Sequence, residues 1–139
     1  MTRDEILAMK PGRELDMLVI RHIMNIPVVE SVDLFSQEPF PAAWWVEDEG
    51  WYIADERDED GLIYRPYNPS EDISVALEVA ERFKDIQITR YVDPEMKMWK
   101  CEIQNFGVRY FALEKTMAAA ICKAALLAVM DGEDEHERD

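Results

Sequence analysis

The stretch that most limits what this chain can fold into runs from Thr116 to Met130, TMAAAICKAALLAVM, and between Met117 and Met130 its only charge is Lys123. An amphipathic surface helix carries a polar stripe about as wide as its apolar one. Here, at helical spacing, Met117, Ile121, Ala125 and Val129 fall on one side, while Leu126, Leu127 and Met130 lie near Lys123 on the other. Both sides need cover. The apolar stretch is shorter than the roughly 20 residues that span a bilayer, and Asp131-Gly132-Glu133-Asp134 follows at once, so no membrane association is expected. Thr116 is placed to cap the helix and Gly132 to end it. Ala118, Ala119, Ala120, Ala124, Ala125 and Ala128 favour helix and leave little bulk, so other backbones can approach closely. The expectation is a buried helix with a sheet on one side and another helix or another subunit on the other, which makes a homo-oligomer the expected state.

At 139 residues the chain is expected to form one domain over 1–131, followed by an acidic tail, 132–139, expected to be disordered. Acidic residues number 30 against 15 basic ones, a formal charge of −15, which disfavours general nucleic-acid binding because that affinity rests on neutralising phosphates. Cys101 and Cys122 stand in segments that read as buried strand and buried helix, with no CxxC spacing and no secretory signal at the N-terminus. Reduced thiols in a cytoplasmic protein are the simplest account.

Along the chain, Thr2-Arg3-Asp4-Glu5 has the capping-box pattern of a first short helix. After Pro11-Gly12, residues 13–24 place Leu15, Leu18, Val19, His22 and Ile23 on one helical face. Prolines at 27, 39 and 41 make 25–43, with Val28, Val29, Val32, Leu34 and Phe35, a long, partly packed loop. Trp44-Trp45-Val46 and Trp51-Tyr52-Ile53-Ala54 flank a polar turn as a hairpin, and alternation sends one of Trp44 and Trp45 away from the packed face. The acidic run 55–60 fails the calcium-loop register, since Tyr67 stands where the bidentate Glu belongs, and reads as a solvated loop. Leu62-Ile63-Tyr64 reads as a short strand. Asn68-Pro69-Ser70-Glu71 predicts a helix start with Asn68 as cap and Ile73, Ala76, Leu77, Ala80 and Phe83 as its buried stripe. Segments 86–92, 96–104 and 108–113 read as an antiparallel meander.

Catalytic signatures are missing: the chain has no glycine-rich phosphate loop, GxSxG elbow, HExxH pair or dinucleotide fingerprint, and its two histidines stand at 22 and 136. The expectation is therefore no enzymatic activity, no cofactor and no metal site. Trp44, Trp45, Trp51, Tyr64 and Tyr67 offer flat surfaces for stacking, and Arg65, Arg90, Arg109 and Lys115 offer charge for a phosphate. The helix start at Thr116, with Lys115 beside it, offers free amides to an anion. The plainer account of the same residues is core packing and ordinary surface charge.

Three segments, MTRDEILAMKPGRELDMLV, PYNPSEDISVALEV and TMAAAICKAALLAV, resemble the phage ABA-sandwich domain family, small proteins of phages and prophages. Asn68-Pro69 departs from the Ser-Thr more often found there, and so does the acidic insert 55–61. The resemblance implies an α+β fold, an α/β/α sandwich whose mostly antiparallel sheet is covered by helices on both faces. It implies nothing specific about activity. Small phage proteins without catalytic motifs often act by binding, and the lack of catalytic groups beside a surplus of aromatics leads to the expectation of a non-enzymatic sponge for nucleotide-derived messengers of bacterial immunity, in the cytoplasm of a bacterial host. In that role Trp44, Trp45 and Tyr67 would stack on a base, with Arg65, Arg109, Lys115 and Thr116 near phosphates. The rival is a protein-interaction module using the acidic surface and tail, and a third option is an enzyme that depends on His22.

Overall fold

The computed structural model describes residues 2–30, 32, 39–92, 95 and 97–138, with side chains described for all of these except 92 and 131–138. Leu34 and Phe35 of the expected loop, and Asp93 and Pro94 of the expected turn, lie outside the described residues. Among the described residues the elements are α1 (Arg3–Ala8), α2 (Arg13–His22), β1 (Ala42–Val46), β2 (Gly50–Asp58), β3 (Gly61–Pro66), α3 (Ile73–Ala80), β4 (Asp85–Val92), β5 (Lys97–Asn105), β6 (Val108–Glu114) and α4 (Met117–Arg138).

The strands form two antiparallel three-stranded sheets, β1-β2-β3 and β4-β5-β6, where one sheet was expected. The α+β class is present. The helices pack on one face of each sheet, while Tyr64 of the first and Tyr91, Phe111 and Leu113 of the second stand exposed on the other, so helix cover on both faces is not what the described residues form.

The central helix is buried along its apolar length. Ile121, Ala124, Ala125 and Leu126 are fully covered, by Cys101, Ile103 and Ala112 of the second sheet and by residues of α1, α2 and α3 such as Ile6, Leu15, Val19, Ala76 and Val79. Both sides that the sequence marks as needing cover are thus met within one chain, which removes the ground for expecting a second subunit against α4. Alanines make this possible, since a helix with so little bulk admits neighbours on all sides. Lys123 reaches its partners instead of solvent: its ammonium group is paired with the Glu114 carboxylate and donates to the Leu7 carbonyl oxygen at 2.8 Å. A buried ammonium without such partners would carry a large desolvation cost. Cys101 and Cys122 are free and buried, and burial pushes the Cys101 thiol up to about 12 and Cys122 well above its ordinary value, so both stay protonated.

Three boundaries differ from expectation. Thr116 does cap α4, its hydroxyl accepting from the Ala119 amide at 3.2 Å, but the helix continues through Gly132 to Arg138. A single interior glycine costs only about 1 kcal/mol against alanine and does not by itself stop a helix. The start of α3 falls after Asp72, not Asn68, because the Asp72 carboxylate accepts from the Ser74 and Val75 amides, while the Asn68 side chain is committed to the Trp51 amide at 2.9 Å. This later start turns the buried stripe to Val75, Ala76, Val79 and Ala80, leaving Ile73 and Leu77 exposed. The acidic run does not form a loop over its whole length: 55–58 extends β2, and Asp58 closes the hairpin by accepting from the Asp60 and Gly61 amides. No helix among the described residues is long and apolar enough to cross a membrane.

A second, smaller core joins the first sheet to the helices. Ala43, Trp51, Ile53 and Tyr67 pack there with Ile20 of α2 and Val75 of α3. Polar bonds reinforce it: the Trp51 indole donates to the Arg13 carbonyl at 3.0 Å, and the Ser70 amide donates to the buried Asp16 carboxylate at 2.7 Å. Burial pushes the Asp16 carboxyl up to about 6, against the opposing effect of those Ser70 bonds.

Candidate functional site

The hairpin β1–β2 pairs Trp44 with Tyr52 and Trp45 with Trp51 about a tight turn. Asp48 adopts a left-handed conformation in that turn (φ 68°), one that short polar side chains tolerate better than most, and the Glu49 amide donates to the Val46 carbonyl at 3.1 Å. Gly50 follows at φ 103°, and a Cβ there would fall 2.6 Å from the Asn68 carboxamide oxygen, so this position requires glycine. The period of two then separates the tryptophans: Trp45 faces the second core and Trp44 faces outward.

On the outward face Trp44 meets Tyr52 and Tyr64 in a triangle of rings. Trp44 and Tyr52 are stacked at 6.1 Å and 18°, Trp44 and Tyr64 are tilted at 6.0 Å and 57°, and Tyr52 and Tyr64 meet edge-on at 6.1 Å and 65°. With Val32, Val46 and Glu49 they line a recess of about 260 Å³. Among the described residues Glu49 is the only charged one of that lining, and its carboxylate accepts from the Tyr52 hydroxyl at 3.1 Å, a bond that raises the phenol above its ordinary range. Val32 arrives because the chain after α2 runs beside β1, with the Val29 amide donating to the Ala43 carbonyl at 2.9 Å. At the other end of the same face, Arg57 pairs with Leu62, two residues from Tyr64, and its guanidinium lies 4.6 Å from the Phe40 ring centroid. The outer face therefore carries an acceptor at one end, aromatic rings in the middle and a cation beyond them.

The residues that the sequence nominates are scattered over the molecule. Trp44 and Tyr64 stand in the recess. Trp45 lines a separate cavity of about 330 Å³, but the Arg13 guanidinium lies 4.7 Å over its ring and Trp51 meets it edge-on at 5.6 Å, so its surfaces are already used. Tyr67 is fully buried and cannot stack on an exposed ligand; its hydroxyl has no hydrogen-bond partner among the described residues. Arg65 is held by a bidentate pair to Glu78 at 2.7 and 2.9 Å and lies over the Tyr67 ring, which answers its charge within the fold. Arg109 belongs to the second sheet, in a polar hollow of about 270 Å³ with Asp85, Gln87, Glu102 and Gln104. Lys115 and Thr116 sit at the start of α4, the Thr116 hydroxyl already serving as its cap.

Tyr52, Glu49 and Arg57 are absent from the sequence-based set. The signal for Tyr52 and Glu49 is present in the residues: a hairpin centred on Asp48 sets Tyr52 opposite Trp44 and puts Glu49 in the turn beside both. Arg57 is hidden by the bulge between Ala54 and Glu56, which shifts the strand by one residue and so changes which side chains face outward.

Comparison with known proteins agrees with this architecture. A family model described as the phage ABA sandwich domain matches residues 18–126. Among solved structures the chain is similar to a phage protein from Bacillus cereus ATCC 14579, at 23% identity over 88% of this chain and 94% of that one, with a TM-score of 0.55. At that identity the likeness speaks to the fold alone. No curated protein matches the chain. Since the family model spans well over half of its length, this protein belongs to the phage ABA sandwich domain family.

Proposed function

We propose that this phage-family protein is a non-catalytic binding protein that holds a ring-bearing, nucleotide-derived molecule on the outer face of its first sheet. The observation that carries the proposal is the outward triangle of Trp44, Tyr52 and Tyr64 around an open recess. Aromatic side chains that are not needed for the core, and are gathered where solvent reaches them, suit the flat face of a base. Each stacked base contributes on the order of 1–3 kcal/mol, enough for useful affinity when two bases or a base and a second contact act together. Arg57 supplies the cation for a phosphate on the same face. The site that results differs from the one the sequence nominates: of the earlier set it keeps Trp44 and Tyr64, and it replaces Arg65, Arg109 and Lys115 with Arg57. In an infected cell such a protein would act as a sponge, lowering the free concentration of a nucleotide messenger of host immunity.

The test is calorimetric titration with cyclic dinucleotides, cyclic trinucleotides and ADP-ribose derivatives, using the wild type and a Trp44→Ala variant. Micromolar binding of at least one of them, weakened tenfold or more by the substitution, is the expected result. If none of them gives heat at high micromolar concentration, the proposal fails.

A further inference from the structure

Resting on the stacking face proposed above, we infer that Glu49 selects the base and that the site prefers guanine. Glu49 is the charged residue lining the recess among the described residues, and the Tyr52 hydroxyl fixes one of its carboxylate oxygens at 3.1 Å. A tyrosine hydroxyl marks the rim of its own ring. A carboxylate held at that rim meets the edge of whatever stacks on Tyr52 and its near-parallel neighbour Trp44.

A carboxylate presents acceptors only, two oxygens side by side, each able to take more than one hydrogen bond. The bond from Tyr52 therefore leaves both oxygens available to a ligand. The bases differ in what they offer to such a pair. Guanine presents two adjacent donors, its ring N1–H and its 2-amino group, which match the two oxygens and give paired, charge-assisted hydrogen bonds. Adenine and cytosine present one amino donor beside a ring nitrogen that is itself an acceptor and faces the second oxygen unfavourably. Uracil presents a single N–H between two carbonyls. A group that attracts donors and repels acceptors discriminates by repulsion as much as by attraction.

The probes are GMP, AMP and IMP. All three carry the same phosphate and sugar, so differences among them report the base edge alone; IMP keeps the N1–H and lacks the 2-amino group. Calorimetry with the wild type is expected to give GMP tenfold or more tighter than AMP, with IMP between them. Glu49→Gln, which turns one acceptor into a donor while preserving size, is expected to weaken GMP tenfold or more and AMP less than threefold. Trp44→Ala is expected to weaken all three alike. If AMP and GMP bind the wild type equally, or Glu49→Gln weakens both to the same extent, the role of Glu49 is refuted while stacking on the sheet stands. If none of the three binds while a cyclic dinucleotide or an ADP-ribose derivative does, the guanine preference is refuted and the stacking face stands; if those are silent too, both are refuted.

Discussion

The two sheets have the same form, three antiparallel strands with one face on the helices, yet they are attached in different ways. The second sheet meets α4 through small and medium apolar side chains, Cys101, Ile103 and Ala112 against Ile121, Ala124 and Ala125, closed by the buried pair of Lys123 and Glu114. The first sheet is attached through large aromatics and polar bonds, with Trp51 and Tyr67 in its core and Asp16, Ser70, Asn68 and the Arg13 carbonyl as hydrogen-bond partners. Their outer faces diverge as well. Phe111 of the second sheet lies beneath Lys100 and Arg3, at 5.1 and 5.8 Å from its ring centroid, so exposed apolar surface is interleaved with charge. Trp44, Tyr52 and Tyr64 of the first sheet gather around a recess in which Glu49 is the only charge among the described residues. On the function proposed above, the difference separates labour: the second sheet keeps α4 covered, and the outer face of the first sheet is the one that meets a ligand.

The largest expected effect tests the stability half of that division. Glu114→Ala leaves the Lys123 ammonium buried with only the Leu7 carbonyl, and should cost about 3–5 kcal/mol in chemical denaturation. The double variant Lys123→Met with Glu114→Leu should recover most of the loss, since replacing a buried pair with apolar side chains is often neutral. Failure to recover would mean the ion pair is needed for more than charge balance.

Next comes the attachment of the first sheet. Asp16 titrates at about 6 in the folded protein, above its ordinary 3.8. The unfolded chain therefore ionises first as pH rises, and folding loses stability through the window from about 4 to 6. At pH 7 the loss attributable to this one group is up to about 3 kcal/mol. Asp16→Asn keeps an acceptor for the Ser70 amide and has no charge to bury. Urea unfolding should show the variant gaining on the wild type as pH rises from 4 to 7, with the gap levelling off above 6. A gap that stays constant across that range would show that the carboxyl titrates normally.

On the binding half, Trp44→Ala should weaken ligand affinity by about 1–3 kcal/mol, whereas Phe111→Ala on the second sheet should leave it unchanged. Equal losses would erase the contrast between the outer faces. The smallest effect belongs to Tyr67→Phe. Its hydroxyl is buried without a partner among the described residues, so removing it should leave stability within about 0.5 kcal/mol or raise it slightly.

Much of this architecture was legible in the residues, because the strongest signals are periodic. The uncharged run to Met130 declares a covered helix, and the alternation of Trp99, Cys101 and Ile103 with Lys100 and Glu102 declares a strand with one buried face, as β5 is. What alternation cannot specify is how strands group. Two meanders separated by a helix read equally well as one sheet or two, and the chain forms two. The proposed site was legible only at Trp44 and Tyr64. Tyr67 and Arg65 look like ligand groups by residue type, but the fold uses one as core and pairs the other with Glu78, and neither use leaves a local mark on the sequence. Arg57 was lost to a bulge, which no residue type near Ala54 announces.

The most direct test follows the four indole N–H groups, those of Trp44, Trp45, Trp51 and Trp99, in nitrogen-proton correlation spectra as GMP is added. A ligand on the outer face of the first sheet should shift the Trp44 signal strongly and leave Trp51 and Trp99 in place, with Trp45 moved little behind its cover of Arg13. Saturable movement of the Trp45 or Trp99 signal while Trp44 stays fixed, or no movement of any, would contradict the placement of the site.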